Sequence, residues 1–203
     1  MRLHPLNLPV PDGSRRAALR AAVGAALSTS LPIPARAHDS YGPVEPPQAA
    51  ARLRVLSLDQ GATDLADLLR GRITALQLMF TGCSATCPIQ GAVFADVQRQ
   101  LRDAPEHFRL LSVSIDPLGD DLKALRSWLQ RFGANPARWS AAVVAPEHLD
   151  GLLNFLRGRA SGADRHTPQV YLFDRQARLT YRTLDIPPAD LVVSVMQQVS
   201  LRR

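Results

Sequence analysis

The sequence predicts an α/β fold, a central mixed β-sheet flanked by helices. Three observations predict it. Apolar runs that read as strands alternate with segments of helical period. The runs ending near Phe80 and Ile115 each lead through a turn into a helix, which implies βαβ units and parallel pairing. Close to the C-terminus, two strand-like runs flank Asp174-Arg175-Gln176-Ala177 and add an antiparallel hairpin at the sheet edge.

The elements follow in order. Arg52 to Leu58 alternates apolar and polar residues through Leu53 and Val55 and reads as a first strand. Asp59-Gln60-Gly61 is a turn. Thr63-Asp64 caps a short helix, Leu65 to Leu69, which Gly71 ends. Ile73 to Phe80 is mostly apolar and suits a buried central strand. It runs into Thr81-Gly82-Cys83-Ser84-Ala85-Thr86-Cys87-Pro88, after which Val93, Phe94, Val97 and Leu101 keep helical spacing. Phe108 to Ile115 is the next strand, closed by Asp116-Pro117. Asp120 and Asp121 open a helix through Leu122, Leu125, Trp128, Leu129 and Phe132, and Gly133 stops it. Ala141 to Val144 is a short strand. Pro146 opens a helix through Leu149, Leu152, Leu153 and Leu156. The hairpin pairs Gln169–Phe173 with Leu179–Thr183, and Ala189 to Val199 is the final helix.

The 203 residues fit one domain plus a terminal extension, and 46% hydrophobic residues suffice for a full core. The net charge of +6 is concentrated at the start, where Arg2, Arg15, Arg16, Arg20 and Arg36 face a single acid, Asp12. The rest of the chain is close to neutral, with its Arg interleaved among acids. It lacks the basic face that nucleic-acid binding needs, so no nucleic-acid partner is expected.

Residues 1–37 have the parts of a cleaved export signal. Arg15-Arg16 precedes a mildly apolar run, Ala21 to Leu31, and Ala35-Arg36-Ala37 supplies an A-x-A end. The paired Arg resembles a twin-arginine signal, although Ala18 stands where a bulky apolar residue is usual. The apolar run is about half of the ~20 residues a membrane span needs, so no stable span remains once the signal is cleaved. An uncleaved signal would instead anchor the chain. The domain is expected in the periplasm or another compartment outside the cytoplasm. Residues 38–51, with four Pro and Gly residues, read as an extended leader, and 52–203 as the domain. His38 would become the mature N-terminus, where an α-amine beside an imidazole chelates Cu(II) or is simply solvated.

Cys83 and Cys87 are the chain's two cysteines. At i and i+4 in a first helical turn, they share a face and come close enough for a disulfide or a shared metal. In an oxidising compartment, two thiols left unpaired need a reason. A helix N-terminus makes Cys83 the more acidic thiol. Thiolates are soft and favour Cu(I), and an added imidazole lets a site hold Cu(II) too. A structural disulfide closing so short a loop contributes little, and structural zinc wants four protein ligands. Of the five histidines, His166 stands just before the strand expected beside the Cys motif. His4, His107 and His148 read as solvated.

These residues carry a resemblance. Leu78-Met79-Phe80-Thr81-Gly82-Cys83-x-x-x-Cys87-Pro88 resembles the F-T-x-C-P-x-x-C-P motif of the SCO/SenC family. Ser112-Val113-Ser114-Ile115-Asp116-Pro117 is similar to that family's S-V-D-P strand end. His166-Thr167 falls where the family places its histidine ligand, five residues before Tyr171. The resemblance spans about residues 50 to 200 and implies a thioredoxin-like fold. It implies copper held by Cys83, Cys87 and His166 and delivered to cytochrome c oxidase or another copper protein. Asp116 matches an acid near the site or is a turn carboxylate. The alternative is a thiol–disulfide oxidoreductase with Cys83 and Cys87 catalytic and a thiol reductant as partner. Two departures stand out. Ser84 replaces the Pro after the first Cys and should loosen that loop. Pro168 stands where thioredoxins carry a cis-Pro that docks thiol substrates; a trans Pro starting a strand is the other reading.

Overall fold

Ile73–Met79 is buried along its whole length. A continuous apolar run dictates this, because a strand covered on both faces sits inside a sheet with helices above and below. The computed structural model describes residues 41–159 and 166–201. In chain order the elements are β1 (Gly42–Ala49), β2 (Arg54–Ser57), β3 (Gly61–Asp64), α1 (Leu65–Leu69), β4 (Ile73–Met79), α2 (Thr86–Gln100), β5 (Phe108–Ser114), α3 (Leu122–Arg131), β6 (Trp139–Val144), a 3-10 turn (Pro146–His148), α4 (Leu149–Leu156), β7 (Val170–Phe173), β8 (Arg178–Arg182) and α5 (Ala189–Leu201). The eight strands form one sheet in the order β1-β8-β7-β4-β5-β6-β2-β3. β4–β5 and β5–β6 are parallel; the other pairs are antiparallel. The expected mixed sheet flanked by helices is present.

The chain divides between Asp39 and Ser40 into two units, and every described residue lies in the second. The expected export signal, residues 1–37, lies outside the described residues.

Side chains alternate between the two faces of the sheet. Ile73, Ala75 and Met79 of β4 pack with Phe94, Val97, Trp128 and Val192 from α2, α3 and α5. Leu76 and Leu78 pack on the other face with Leu65, Leu152 and Leu156 from α1 and α4. Each fully buried Leu, Ile or Val contributes about 1.5–3 kcal/mol. Trp139 joins the first core; its indole N–H donates to the Ser112 hydroxyl at 2.9 Å.

Two strands were not expected. The segment read as an extended leader contains β1, which pairs with β8 through Gly42↔Arg182 and Gln48↔Leu179. Val44 buries its side chain in the second core. The register shifts between Pro43 and Gln48, so the ladder tolerates prolines that a regular strand would not. The hairpin is therefore not the sheet edge; β1 is. The turn at Asp59 continues into β3, which pairs with β2. Asp64 precedes α1 without a side-chain capping bond, whereas Asp121 caps α3 by accepting the Ala124 N–H at 2.7 Å.

Candidate metal centre

β4 and β5 run parallel and finish together, Met79 opposite Ser114. β7 lies on the other side of β4 and enters beside its end, Val170 opposite Gln77. The chain leaving β4 and the chain entering β7 therefore meet at the C-terminal ends of the parallel strands, where open α/β sheets place their sites.

Cys83 and Cys87 lie in the first of these segments. The expectation that both sit on one helix face needs correction: α2 begins at Thr86, so Cys83 belongs to the preceding loop and only Cys87 to the first turn. The Cys83 N–H donates to the Phe80 carbonyl at 3.2 Å. Neither cysteine is in a disulfide, and Cys83 Sγ lies 3.9 Å from the Thr86 hydroxyl.

The two thiols are unequal. Partial burial pushes Cys83 up, but the Cys87 N–H, the Cys87 thiol, the Ala85 N–H and the Thr86 hydroxyl all stabilise its thiolate. Together they outweigh burial and bring it below the ordinary thiol value. Cys87 is pushed up to about 12, chiefly by burial and then by its bond to Cys83. The helix start thus acts on Cys83 as expected, through named donors.

His166 reaches the same point from the second segment. Its Nε2 lies 3.7 Å from Cys87 Sγ, and its Nδ1 lies 3.0 Å from the Thr167 carbonyl. A carbonyl only accepts, so Nδ1 carries a proton, which leaves Nε2 as the ring nitrogen that faces Cys87. Phe80 stands edge-on to the imidazole, 6.2 Å between ring centroids. The backbone that follows His166 is held at Thr167. The Thr167 N–H donates to the Gly158 carbonyl at 2.8 Å, and Thr167 Oγ1 bonds the Tyr171 hydroxyl at 2.8 Å. Burial pushes the Tyr171 phenol up to about 12.

The other sequence candidates fall into place. Glu45–Pro46 is the one cis bond among the described residues, so Thr167–Pro168 is trans and Pro168 simply leads into β7. Asp116 is a turn carboxylate, accepting the Gly119 N–H at 3.2 Å. The acid that touches the Cys loop is Asp120, which was read only as part of a helix start. It is buried and accepts hydrogen bonds from Thr81 and Ser114. The signal lay in two adjacent acids where a cap needs one; Asp121 caps, and Asp120 is left for other work. His107 precedes β5, at the opposite end of the sheet from the cysteines, and His148 sits in the 3-10 turn. His4 and His38 lie outside the described residues.

Two thiols and an imidazole form a soft donor set with one harder nitrogen, suited to copper in either oxidation state. Among the described residues, no group of three or more His, Cys, Asp or Glu side chains is placed to hold a metal ion as it stands. No helix there is long and apolar enough to cross a membrane.

A family model described as SCO1/SenC matches residues 55–199. A SCO1 protein homolog of Bacillus subtilis (strain 168) is 28% identical over 71 residues, 35% of this chain and 37% of the relative. The aligned part thus spans little more than a third of that relative's length. Among solved structures, BsSco is described as a member of the Sco family of cytochrome c oxidase assembly proteins with a disulfide switch. It superposes with a TM-score of 0.67 at 19% identity, covering 80% of this chain and 98% of its own. ScoI of Bradyrhizobium japonicum, solved with copper bound, has a TM-score of 0.61 at 17% identity, covering 74% of this chain and 99% of its own. These likenesses give the fold as thioredoxin-like. The family match takes in the whole Cys83–Cys87 loop, Asp120 and His166, and the chain belongs to the SCO1/SenC family.

Proposed function

We propose that the domain is a copper metallochaperone that works outside the cytoplasm. It takes one copper ion as cargo on Cys83, Cys87 and His166 and passes it to an oxidase subunit or another copper protein. The observation that carries this reading is the 3.7 Å approach of Cys87 Sγ to His166 Nε2, with Cys83 in the loop that leads into the same helix. Copper-bound relatives of the same family support it. The export-signal features of residues 1–37 support the compartment.

Loading replaces protons by metal. Cys83 is the more acidic and more exposed thiol and engages first. Cys87, pushed up to about 12, would release its proton to solvent only as the incoming cation takes its place on the sulfur. Cys83, four residues before Cys87, would supply the second thiolate from its loop. Two thiolates satisfy Cu(I), and the imidazole is the donor that Cu(II) requires in addition. The experiment is a copper titration of the reduced protein, read by absorption in wild type and His166→Ala. The expected result is one copper per chain, with Cu(II) binding weakened far more than Cu(I) by the substitution. Full-strength Cu(II) binding by His166→Ala would exclude the three-ligand site.

The split between the thiols also favours a second reading, a thiol–disulfide oxidoreductase. The Cys83 thiolate would attack a target disulfide and release one target thiolate. Cys87 would then attack the Cys83 sulfur and release the second, leaving Cys83–Cys87 oxidised and the target reduced. An external thiol reductant would restore the pair. The trans Thr167–Pro168 bond removes the feature that pointed to substrate docking, so this reading ranks second. Thiol exchange no faster than that of a free thiol would exclude it.

A further inference from the structure

We propose that Asp120 is a positioning residue for the metal site, holding the Cys83 loop in place through Thr81. This rests on the copper reading above.

Asp120 is only 7% exposed and takes part in no ion pair among those of the described residues. A buried carboxylate without a cation must be satisfied by donors. Asp120 has three. Its Oδ2 accepts the Thr81 N–H at 3.0 Å and the Ser114 hydroxyl at 2.6 Å, and its Oδ1 accepts the Thr81 hydroxyl. Hydrogen bonds to a charged acceptor are about twice as strong as neutral ones. Two of these three come from one residue, two positions before Cys83.

Asp120 is itself held firmly. Its N–H donates to the Asp116 carbonyl at 2.9 Å. The turn closes at Gly119, where a Cβ would run into the Asp116 carboxylate. Ser114 is the last residue of β5, and Asp121 next door caps α3. The carboxylate therefore fastens the corner after β4 to the corner after β5. Within the loop between Thr81 and Thr86, the Cys83 N–H donates to the Phe80 carbonyl and the Cys83 side chain packs against the first core. Asp120 fixes where that loop leaves the sheet, and so the direction from which Cys83 faces Cys87 and His166.

The test uses the full chain and three variants. Asp120→Ala deletes the acceptor. Asp120→Asn keeps the shape: its Oδ1 can take the Thr81 N–H and the Ser114 hydroxyl, while its amide donates to a rotated Thr81 hydroxyl. Thr81→Val removes one donor and leaves the core intact. Three quantities are read: Cu(I) affinity by chelator competition, the Cu(II)–thiolate absorption band, and the alkylation rate of Cys83 in the metal-free reduced protein. Asp120→Ala is expected to weaken copper binding about 10–100-fold, the range for loss of residues that orient metal ligands. It should also shift the Cu(II) band and change the Cys83 alkylation rate. Asp120→Asn should restore most of all three, and Thr81→Val should show a partial loss. Wild-type affinity in Asp120→Ala, or equal losses in Ala and Asn, would overturn the proposal. If Asp120→Ala fails to fold, Thr81→Val decides, and wild-type affinity there overturns it. If the wild-type protein binds no copper, the copper reading fails separately. The alkylation rate then decides for Asp120, and a rate unchanged in Asp120→Ala overturns it.

Discussion

Cys87 Sγ and His166 Nε2 stand 3.7 Å apart although 79 residues separate them in sequence. The proposed copper ligands come from both halves of the chain and meet only in the folded state, so a metal bound there would stabilise that state by linkage. Free Cu(I) at about a hundred times its dissociation constant adds ~2.7 kcal/mol, worth about 5–10 °C in Tm for a domain of this size. Thermal melts of reduced protein with and without Cu(I) measure it. The same shift in Cys87→Ser would put the metal elsewhere.

The unequal thiols predict selective chemistry. Alkylation consumes thiolate, and a lowered pKa keeps thiolate present to lower pH. Cys83 should therefore react with iodoacetamide with a midpoint below the ordinary thiol value of 9.0. Cys87, pushed up to about 12, should stay unlabelled until strongly alkaline pH. Mass spectrometry of the protein labelled across a pH series reads both, and equal labelling near neutrality would contradict the donor arrangement at the helix start.

Tyr171 supports the His166 segment from below. Tyr171→Phe removes the hydroxyl bonded to Thr167 Oγ1, which keeps its other partner, Gln169 Oε1, at 3.2 Å. One buried hydrogen bond is lost, at a cost of about 1 kcal/mol. Urea unfolding measures it. A change in the Cu(II) spectrum should accompany it, because the Thr167 carbonyl orients the imidazole.

Gly91 separates stability from site chemistry. A Cβ there would overlap the Phe132 ring, so Gly91→Ala overpacks the α2 contact with the end of α3. The expected cost is about 1–3 kcal/mol, seen as a lower urea midpoint. The Cys83 alkylation rate should be close to wild type, since the strain falls on the side of α2 that packs against Phe132.

A chain starting at Ala50 lacks β1 and uncovers the outer side of β8. It should melt several degrees lower and aggregate more readily on heating, as light scattering would show. An unchanged Tm would mean that the β1–β8 pairing contributes nothing.

Local patterns were legible in the sequence, and long-range pairings were not. The run Ile73–Met79 announced a buried strand because both of its faces are apolar, and the turn at Asp174–Ala177 announced its hairpin. The nearness of His166 to the cysteines followed from strand order. β1 was hidden because its prolines read as extended chain and its partner Arg182 lies 140 positions away from Gly42. β3 was hidden because Gly61–Asp64 carries no apolar alternation. Cys83 was placed on a helix because spacing alone cannot tell a helical turn from the loop before it. Asp120 escaped because its partner, Thr81, is 39 residues distant, and an acid before a helix has a ready local explanation.

The outer strands of the sheet have one more consequence. An open rim offers a row of unused N–H and C=O groups on which another chain can build. Here one rim is β1, where Pro43, Pro46 and Pro47 have no N–H to offer and the ladder is irregular. The other is β3, only four residues long. Neither can seed the regular stacking from which fibres grow. The same prolines that made residues 42–49 look structureless blunt the rim of the eight-stranded sheet that the described residues form.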